Sequence, residues 1–295
     1  MAFFVSDKQH LAAHEGRSKY TPFRPTPSQY EELEMEVNFG HPLYTSISDI
    51  FVLKSNGTEP VVFPVIPDGC ISLVSFGIKE FSDTKLCGPI DEMKKIVMNP
   101  GEQVMMIRFF PGATSALAKI RANNLTNKAI DIKKIFSNGE QIVSALNRDI
   151  SFHDKSMLVS KLIKVGMAGD DANYLIRYCT DQIFQRKGNL RVKELAQEAG
   201  FSERYLGKVF EKFIGISPKV YCEIIRMQVS LGEIFDKEKN KGLVDVALES
   251  GFFDHAHMNR FYKKFLHCSA GVLRKKGFNN LDYSEVKPYL NTETN

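Results

Sequence analysis

A short segment near the C-terminus places three side chains that can bind a metal within four residues. The segment is GFFDHAHMNRFYKKF, and the three are Asp254, His255 and His257. Carboxylate and imidazole groups are common zinc ligands. Three cations follow among aromatic residues: Arg260, Lys263 and Lys264. Cations in this setting contact phosphates and base edges of DNA, so the segment supports either a metal site or a nucleic-acid contact.

The elements around this segment have a second copy earlier in the chain. VKELAQEAGF (192–201) lies 51 residues before LVDVALESGF (243–252), so that Gly200 corresponds to Gly251. After these glycines the offset becomes 52, and Lys208 corresponds to Arg260. Each copy has the pattern of a short helix, a glycine turn and a second helix. The chain therefore contains a duplicated supersecondary unit.

Each copy is predicted to form a helix-turn-helix. Gly200 can take the left-handed conformation that ends a helix, and Ser202 is a favourable N-cap for the next one. Apolar residues then recur at helical spacing, and we expect them to face inward: Leu206, Val209, Phe210 and Phe213 in the first copy, Met258, Phe261, Tyr262 and Phe265 in the second. The second helix of such a unit can enter the major groove of DNA.

The helical pattern argues against the metal site. Residues two apart on a helix point about 200° apart, so His255 and His257 cannot easily share one ion. Asp254 is better explained as a helix-start residue favoured by the helix dipole. We therefore predict no metal and no cofactor here. The segment is instead a second recognition helix, with Asn259 and Arg260 as its main readers of base edges.

A long helix is predicted between the two copies. GISPKVYCEIIRMQVSLGEIFD begins with Ser217 as N-cap and Pro218 at the first helical position, and it stays helical to about Asp236. Its length is roughly 30 Å at 1.5 Å per residue. Successive major grooves on one face of DNA lie about 34 Å apart. The helix can hold two recognition helices one turn apart, or it can simply join two helical bundles.

These motifs resemble the AraC family of bacterial transcription regulators. The similarity covers about 100 C-terminal residues, including both copies and the GISP segment (215–218). It implies a double helix-turn-helix module bound to promoter DNA. By position it implies base-facing residues Arg204, Gly207, Lys208, His255, Ala256, Asn259 and Arg260. Hydroxyl and lysine groups beside them are assigned to phosphates: Ser202, Lys212, Lys263 and Lys264.

The chain departs from the family pattern at three places. HCSA (267–270) stands where a second G-x-S-P is usual, and Phe253 stands at a position that is commonly small or polar. Gly207 offers no side chain with which to read a base. We therefore expect the first unit to depend on Arg204 and Lys208, or to make a looser contact with the groove.

The N-terminal half is predicted to be strand-rich. Short apolar runs between turn signals indicate an antiparallel barrel or sandwich followed by helices. The fold class is therefore α+β multidomain, with an all-α tandem helix-turn-helix at the C-terminus. The expected boundaries are 1–165 for the sensor or dimerisation domain, with an early helix from Thr114, 166–173 for a linker, 174–280 for the DNA-binding domain and 281–295 for a tail.

Two surfaces of the N-terminal domain are candidates for binding. Its PDGC (67–70) and RFFPG (108–112) motifs resemble one subset of the family, although turns explain both. Alternate strand residues could line an effector pocket: Phe63, Ile71, Leu73, Met105, Ile107 and Phe109. Arg108 alternates with them and could face outward. Met157, Leu158 and Leu162 mark a helix that could form a homodimer or could cover its own domain.

Composition limits the class of protein. The 295 residues are 43% hydrophobic, and no apolar run approaches the roughly 20 residues of a membrane helix. The N-terminus lacks the apolar stretch of a signal peptide, so a cytoplasmic protein without membrane contact is expected. The net charge is +4, but residues 171–280 hold 19 Lys and Arg against 13 Asp and Glu. This uneven charge favours nucleic-acid binding by the C-terminal third.

Three functions are compatible with these features. The first is a promoter-binding transcription regulator, expected to be an activator that contacts RNA polymerase, with an activity that a small-molecule effector or a partner at the N-terminal domain could tune. The second is a DNA repair or modifying enzyme with the same module, for which Cys70 and Cys87 are the candidate nucleophiles. The third is a module whose N-terminal domain captures a partner protein and blocks DNA binding. The first is preferred, with no catalytic residues, because neither cysteine has a run of basic or histidine residues near it.

Overall fold

The computed structural model describes residues 20, 22–25, 30–35, 37, 41–81, 83–113, 120–163, 171–236, 238 and 241–290. In the N-terminal half it contains these strands: β1 Tyr30–Met35, β2 Ile47–Ser55, β3 Val61–Val65, β4 Ile71–Gly77, β5 Asp83–Cys87, β6 Lys94–Met98, β7 Gln103–Phe109 and β8 Ala129–Asp131. The helices that follow are α1 Gly139–Leu146, α2 Phe152–Leu162, α3 Asp171–Gln185, α4 Val192–Glu198, α5 Glu203–Phe213, α6 Pro218–Phe235, α7 Leu243–Glu249, α8 His255–Leu266 and α9 Ala270–Lys276.

The strands form two antiparallel sheets. The larger has the order β1-β2-β7-β4-β5-β8, and the smaller pairs β3 with β6. The predicted antiparallel, strand-rich domain followed by helices is confirmed. The sheets do not close, so the predicted description as a barrel or sandwich is approximate.

The two faces of the large sheet pack against different layers. Val104 and Met106 of β7 belong to a core shared with β3 and β6, whereas Met105, Ile107 and Phe109 belong to a core shared with α1 and α2. The alternation follows from the two-residue period of a strand. The domain is therefore layered as helices, large sheet and small sheet.

This layering separates the predicted pocket residues. Ile71, Leu73, Met105, Ile107 and Phe109 face the helices, and Phe63 lies in the core on the other side of the sheet. All six are at most 4% exposed. They are therefore interior packing residues distributed over two cores, and they do not surround one common space.

Two further predictions are changed in part. Helix α3 begins at Asp171, within the predicted linker 166–173, and residues 164–170 lie outside the described part. Of the helix predicted from Thr114, residues 114–119 lie outside the description, and 122–124 form a single 3-10 turn. The residues of the predicted dimer helix are half-buried against the core between the large sheet and the helices: Met157, Leu158 and Leu162.

The two halves of the protein share a core. Ile66, Cys70 and Met93 belong to the same apolar cluster as the C-terminal helices. Gln228 of α6 donates through Nε2 to the Pro67 carbonyl at 2.6 Å, and its Oε1 accepts from the Phe23 amide at 2.7 Å. The halves are thus joined by buried polar contacts as well as by apolar packing.

The predicted tail also binds the N-terminal half. Lys95 of β6 donates its amide to Lys287 and accepts from the Tyr289 amide at 2.9 Å, and Tyr289 and Leu290 are buried under the small sheet. The chain thus returns from the C-terminal helices to the first domain. Within the described ranges, no helix is both long and apolar enough to cross a bilayer.

Candidate nucleic-acid interface

The first helix-turn-helix unit consists of α4 and α5. Gly200 has a φ of +78°, which is the left-handed conformation that ends a helix. Ser202 is the N-cap of α5, and its Oγ accepts from the Tyr205 amide at 3.2 Å. The predicted inward residues are all buried: Leu206, Val209, Phe210 and Phe213. The turn and cap chemistry expected from the sequence is confirmed here.

The outward side of α5 is a basic stripe. Arg204, Lys208 and Lys212 are exposed and four residues apart, so they follow one side of the helix. The Lys212 ammonium lies 4.5 Å from the centre of the Phe213 ring. At Gly207, nothing lies within 4 Å of the position that a Cβ would take. The stripe is therefore open to a large anionic partner.

The second unit repeats this plan with α7 and α8. Gly251 has a φ of +80°, and Asp254 caps α8 by accepting from the His257 amide at 2.6 Å. Of the predicted inward residues, Met258, Tyr262 and Phe265 are buried, and Phe261 is half-buried. The N-cap assigned to Asp254 from the sequence is confirmed.

The histidines of the second unit make contacts within the protein. His257 Nδ1 accepts from the Phe253 amide at 3.2 Å, and its ring lies edge-on to Phe252 and Phe261. His255 Nε2 lies 3.2 Å from Asn259 Nδ2. The two rings thus have different neighbours. In the described part of the chain, no group of three His, Cys, Asp or Glu residues is placed to hold a metal ion.

Asn259 also has a structural role that its sequence position did not reveal. Its Oδ1 accepts from the Ala270 amide at 3.0 Å, at the first residue of α9, while its Nδ2 faces His255. Both ends of the amide are therefore in contact with the protein. A contact with adenine would require these bonds to be given up, so Asn259 is a weaker candidate reader than we expected.

An exposed stripe remains on α8. Ala256, Arg260 and Lys263 are exposed and lie along one side of the helix. Lys264, a predicted phosphate contact, is instead paired with Glu223 of α6 at 2.5 Å. The second unit therefore presents a narrower set of free cations than the first.

Helix α6 connects the two units. Its 18 residues span about 27 Å at 1.5 Å per residue, slightly less than predicted because the helix ends at Phe235. Arg226 of α6 donates to the Gly188 carbonyl at 2.8 Å and lies over the Phe252 and Phe261 rings. Burial lowers the pKa of Arg226. This side chain ties the linking helix to the turn region of the second unit.

The N-terminal half contacts the C-terminal end of each recognition helix. The Met93 amide donates to the Phe265 carbonyl at 2.7 Å, and Thr126 Oγ1 donates to the Gly215 carbonyl at 2.6 Å, just beyond α5. Arg204 and Ala256, near the opposite ends of the two helices, are exposed. The docked domain therefore leaves the N-terminal turns of both helices accessible.

Arg108 is buried, which corrects the expectation that it could face outward. It is 5% exposed and is paired with Asp49 and Asp68, its Nε and Nη1 lying 3.4 and 3.1 Å from their carboxylates. Burial lowers the pKa of Arg108, but Asp49 and Asp68 outweigh this effect and hold it above its ordinary value. Burial also raises the pKa of Asp68, against the opposing effect of Arg108.

A cavity of about 30 Å³ lies beside this ion cluster. Its walls include Phe63, Asp68, Cys70, Arg108 and Tyr289. A space of this size holds at most a few water molecules. Burial raises the pKa of both candidate nucleophiles, Cys70 and Cys87. A buried thiol with a raised pKa is a poor nucleophile, which argues against the repair-enzyme hypothesis.

Comparison with known proteins is consistent with this geometry. Residues 195–276, from α4 to α9, match a family described as a helix-turn-helix domain, and residues 40–131 match a domain of unknown function. The chain is 25% identical over 111 residues to the probable transcription factor PqrA of Proteus vulgaris, which covers 38% of this chain and 88% of that protein. Over residues 195–276 the chain is therefore similar to the AraC-type helix-turn-helix domains of transcription regulators.

Two further transcription regulators match over a similar share of this chain. The regulator MtrA of Neisseria gonorrhoeae is 27% identical over 124 residues, covering 42% of this chain and 39% of MtrA. The XylDLEGF operon transcriptional activator 1 of Pseudomonas putida is 27% identical over 149 residues, covering 47% and 44%. The chain thus spans less than half the length of these two relatives. Among solved structures, ToxT from Vibrio cholerae matches 77% of this chain and 97% of its own, with 12% identity and a TM-score of 0.42.

Proposed function

We propose that this protein regulates transcription by inserting the N-terminal turns of α5 and α8 into successive major grooves of promoter DNA. The observation that carries the proposal is the pair of capped helices, each with an exposed basic stripe, joined by the 18-residue α6. Recognition helices contact base edges through their N-terminal residues. The accessible ends of α5 and α8 are the ends that such a contact requires.

The contacts of each side chain suggest its role. Arg204, Lys208 and Arg260 are exposed and can reach guanine edges, and Ala256 can meet a thymine methyl. Ser202, Lys212 and Lys263 are placed to hold phosphates. Lys264 would have to leave Glu223 to do the same. His255 and Asn259 act mainly by supporting the helix, and Gly207 contributes no side chain to the contact.

The N-terminal half is proposed to modulate this activity without catalysis. It touches both recognition helices near their C-terminal ends, so a change in its docking would alter their placement. A small-molecule effector would have to enlarge the cavity beside Arg108. A homodimer would use α2 at Met157, Leu158 and Leu162, and activation would require contact with RNA polymerase. A cytoplasmic location follows from promoter binding.

The test begins with DNA fragments selected by the wild-type protein from a random double-stranded pool. Binding to the selected fragment is then titrated at several salt concentrations for Arg260→Ala and, as a matched control on the same helix, Lys263→Ala. Arg260→Ala should weaken binding to the selected sequence by about 1–3 kcal/mol and relax base preference. Lys263→Ala should weaken binding to all DNA sequences alike. It should also reduce the slope of log affinity against log salt concentration by about one.

Two results would contradict the proposal. Selection by the wild-type protein could yield no enriched sequence, which would exclude sequence-specific binding. Alternatively, Arg260→Ala could bind the selected fragment with wild-type affinity while unfolding at the wild-type temperature, which would remove α8 from the interface.

A further inference from the structure

The second helix-turn-helix unit contains one residue that the first unit lacks. The N-caps Ser202 and Asp254 are 52 residues apart, whereas the turn glycines Gly200 and Gly251 are 51 apart. The extra residue is Phe253, which lies between the buried Phe252 and the N-cap. Its side chain is 84% exposed, and no described large apolar side chain is more exposed.

The backbone on either side of Phe253 is held in place. Its amide donates to His257 Nδ1, and the next residue, Asp254, accepts from the His257 amide at 2.6 Å. The His257 ring in turn packs edge-on against both Phe252 and Phe261. The turn therefore directs the Phe253 ring into solvent at the N-terminal end of α8. His257, one of the two histidines that suggested a metal site, holds the backbone of this turn in place.

We propose that Phe253 reads DNA, by placing its ring against a thymine methyl group at the edge of the site contacted by α8. The inference rests on the proposed function, because it needs α8 in the major groove. Residues at the start of a recognition helix reach base edges, and an apolar contact is the means by which a thymine methyl is recognised. The first unit has no equivalent side chain, so the preference for thymine belongs to the second half of the site.

A protein partner is the competing occupant of this surface. Val244 and Leu248 of α7 are 57% and 56% exposed, where the first unit has Lys193 and Gln197 at the same positions. They show that the second unit is the more apolar of the two. DNA is favoured for Phe253 because this residue directly precedes the N-cap of the helix that carries Arg260.

The experiment measures the effect of removing single methyl groups. The fragment selected by the wild-type protein is prepared with deoxyuridine in place of thymidine, one position at a time. Loss of the contacted methyl should weaken wild-type binding about fourfold, the effect of exposing one methylene-sized group. Phe253→Ala should weaken binding to the thymidine fragment at least as much and should no longer distinguish the two fragments.

Two control variants separate this inference from the proposed function. Val244→Ala removes an exposed apolar side chain from α7 and should leave DNA affinity and methyl sensitivity unchanged. Arg260→Ala should lose affinity but keep its sensitivity to the methyl group. If Phe253→Ala retains wild-type affinity and methyl sensitivity while Arg260→Ala loses affinity, Phe253 does not read DNA and only this inference fails. If the wild-type protein selects no sequence, both fail.

Discussion

The first helix-turn-helix unit passes from Phe201 directly to its N-cap Ser202, whereas the second inserts Phe253 before its N-cap Asp254. Along α5, Arg204, Lys208 and Lys212 extend from the surface. Along α8, the polar residues are mostly engaged inside the protein: His257 with the turn, Asn259 with α9 and Lys264 with α6. One backbone plan therefore supports two different distributions of free side chains.

The two copies of the duplicated unit differ in how many of their side chains are used for contacts within the protein. The second unit is bound to α6 through Arg226, to α9 through Asn259 and to the N-terminal half through Phe265. The contact with α9 occupies the Asn259 amide, a polar group that a reader of DNA would otherwise need. Under the proposed function, recognition by the second unit would depend on a small number of side chains, chiefly Arg260 and the inserted Phe253, while the first unit keeps a broader basic stripe.

The largest expected effect concerns the two turn glycines. Gly200→Ala and Gly251→Ala both force an alanine into the left-handed conformation, which costs about 1–2 kcal/mol. At Gly200 the space for a Cβ is open, but at Gly251 it lies 2.9 Å from Asn189 Cβ. We expect the free energy of unfolding, measured in urea, to fall for both variants and to fall further for Gly251→Ala.

Which of the two variants loses more unfolding free energy shows which unit encloses its turn glycine more tightly. Equal losses would show that Asn189 moves aside without cost, so that the second unit is no more tightly enclosed than the first. A greater loss for Gly200→Ala would contradict the description of the second unit as the more constrained one.

The next effect concerns Asn259, whose Oδ1 accepts from the first amide of α9. Replacing a side chain that satisfies a helix N-terminus typically costs about 1 kcal/mol. Asn259→Ala should therefore lower the free energy of unfolding by that amount, and Asn259→Asp, which keeps the acceptor, should lower it less. Base preference, measured by selection from random DNA, should be unchanged in both. Wild-type stability with a lost preference for adenine would instead make Asn259 a reader.

Local features of the sequence predicted the helix-turn-helix units well. The turn glycines, the caps Ser202 and Asp254 and the buried stripes depend on residues within one or two helical turns, so spacing alone reveals them. Asn259 was misjudged because its partner, Ala270, is 11 residues away on another helix. The Ser-Ala start of α9 was the available signal that a helix begins there.

The N-terminal half was predicted less accurately because its arrangement depends on distant pairing. Asp49 and Arg108 are partners in the β2–β7 register, which brings a carboxylate beside a cation 59 positions later in the chain. Alternation along β7 correctly placed Arg108 on the face of the sheet opposite to that of Ile107 and Phe109. It could not show that a second sheet covers that face, and this is why Arg108 is buried and Phe63 is separated from the other predicted pocket residues.

The smallest expected effect tests whether Gly207 brings the backbone of α5 close to DNA. Glycine inside a helix costs about 0.5–1 kcal/mol relative to alanine, and the Cβ position of Gly207 is open. Gly207→Ala should therefore raise the free energy of unfolding by that amount. Gly232→Ala in α6 is the matched control, because this glycine is also helical and its Cβ position is also open.

Both variants should bind the selected DNA as the wild type does. The long side chains of Arg204 and Lys208 flank Gly207, and they would hold the axis of α5 far enough from the bases to leave room for one methyl group. Titration of the selected fragment measures this directly. A tenfold loss of affinity in Gly207→Ala, with none in Gly232→Ala, would mean that α5 approaches the groove through its backbone. The two units would then differ in how deeply they enter the groove as well as in which side chains are free.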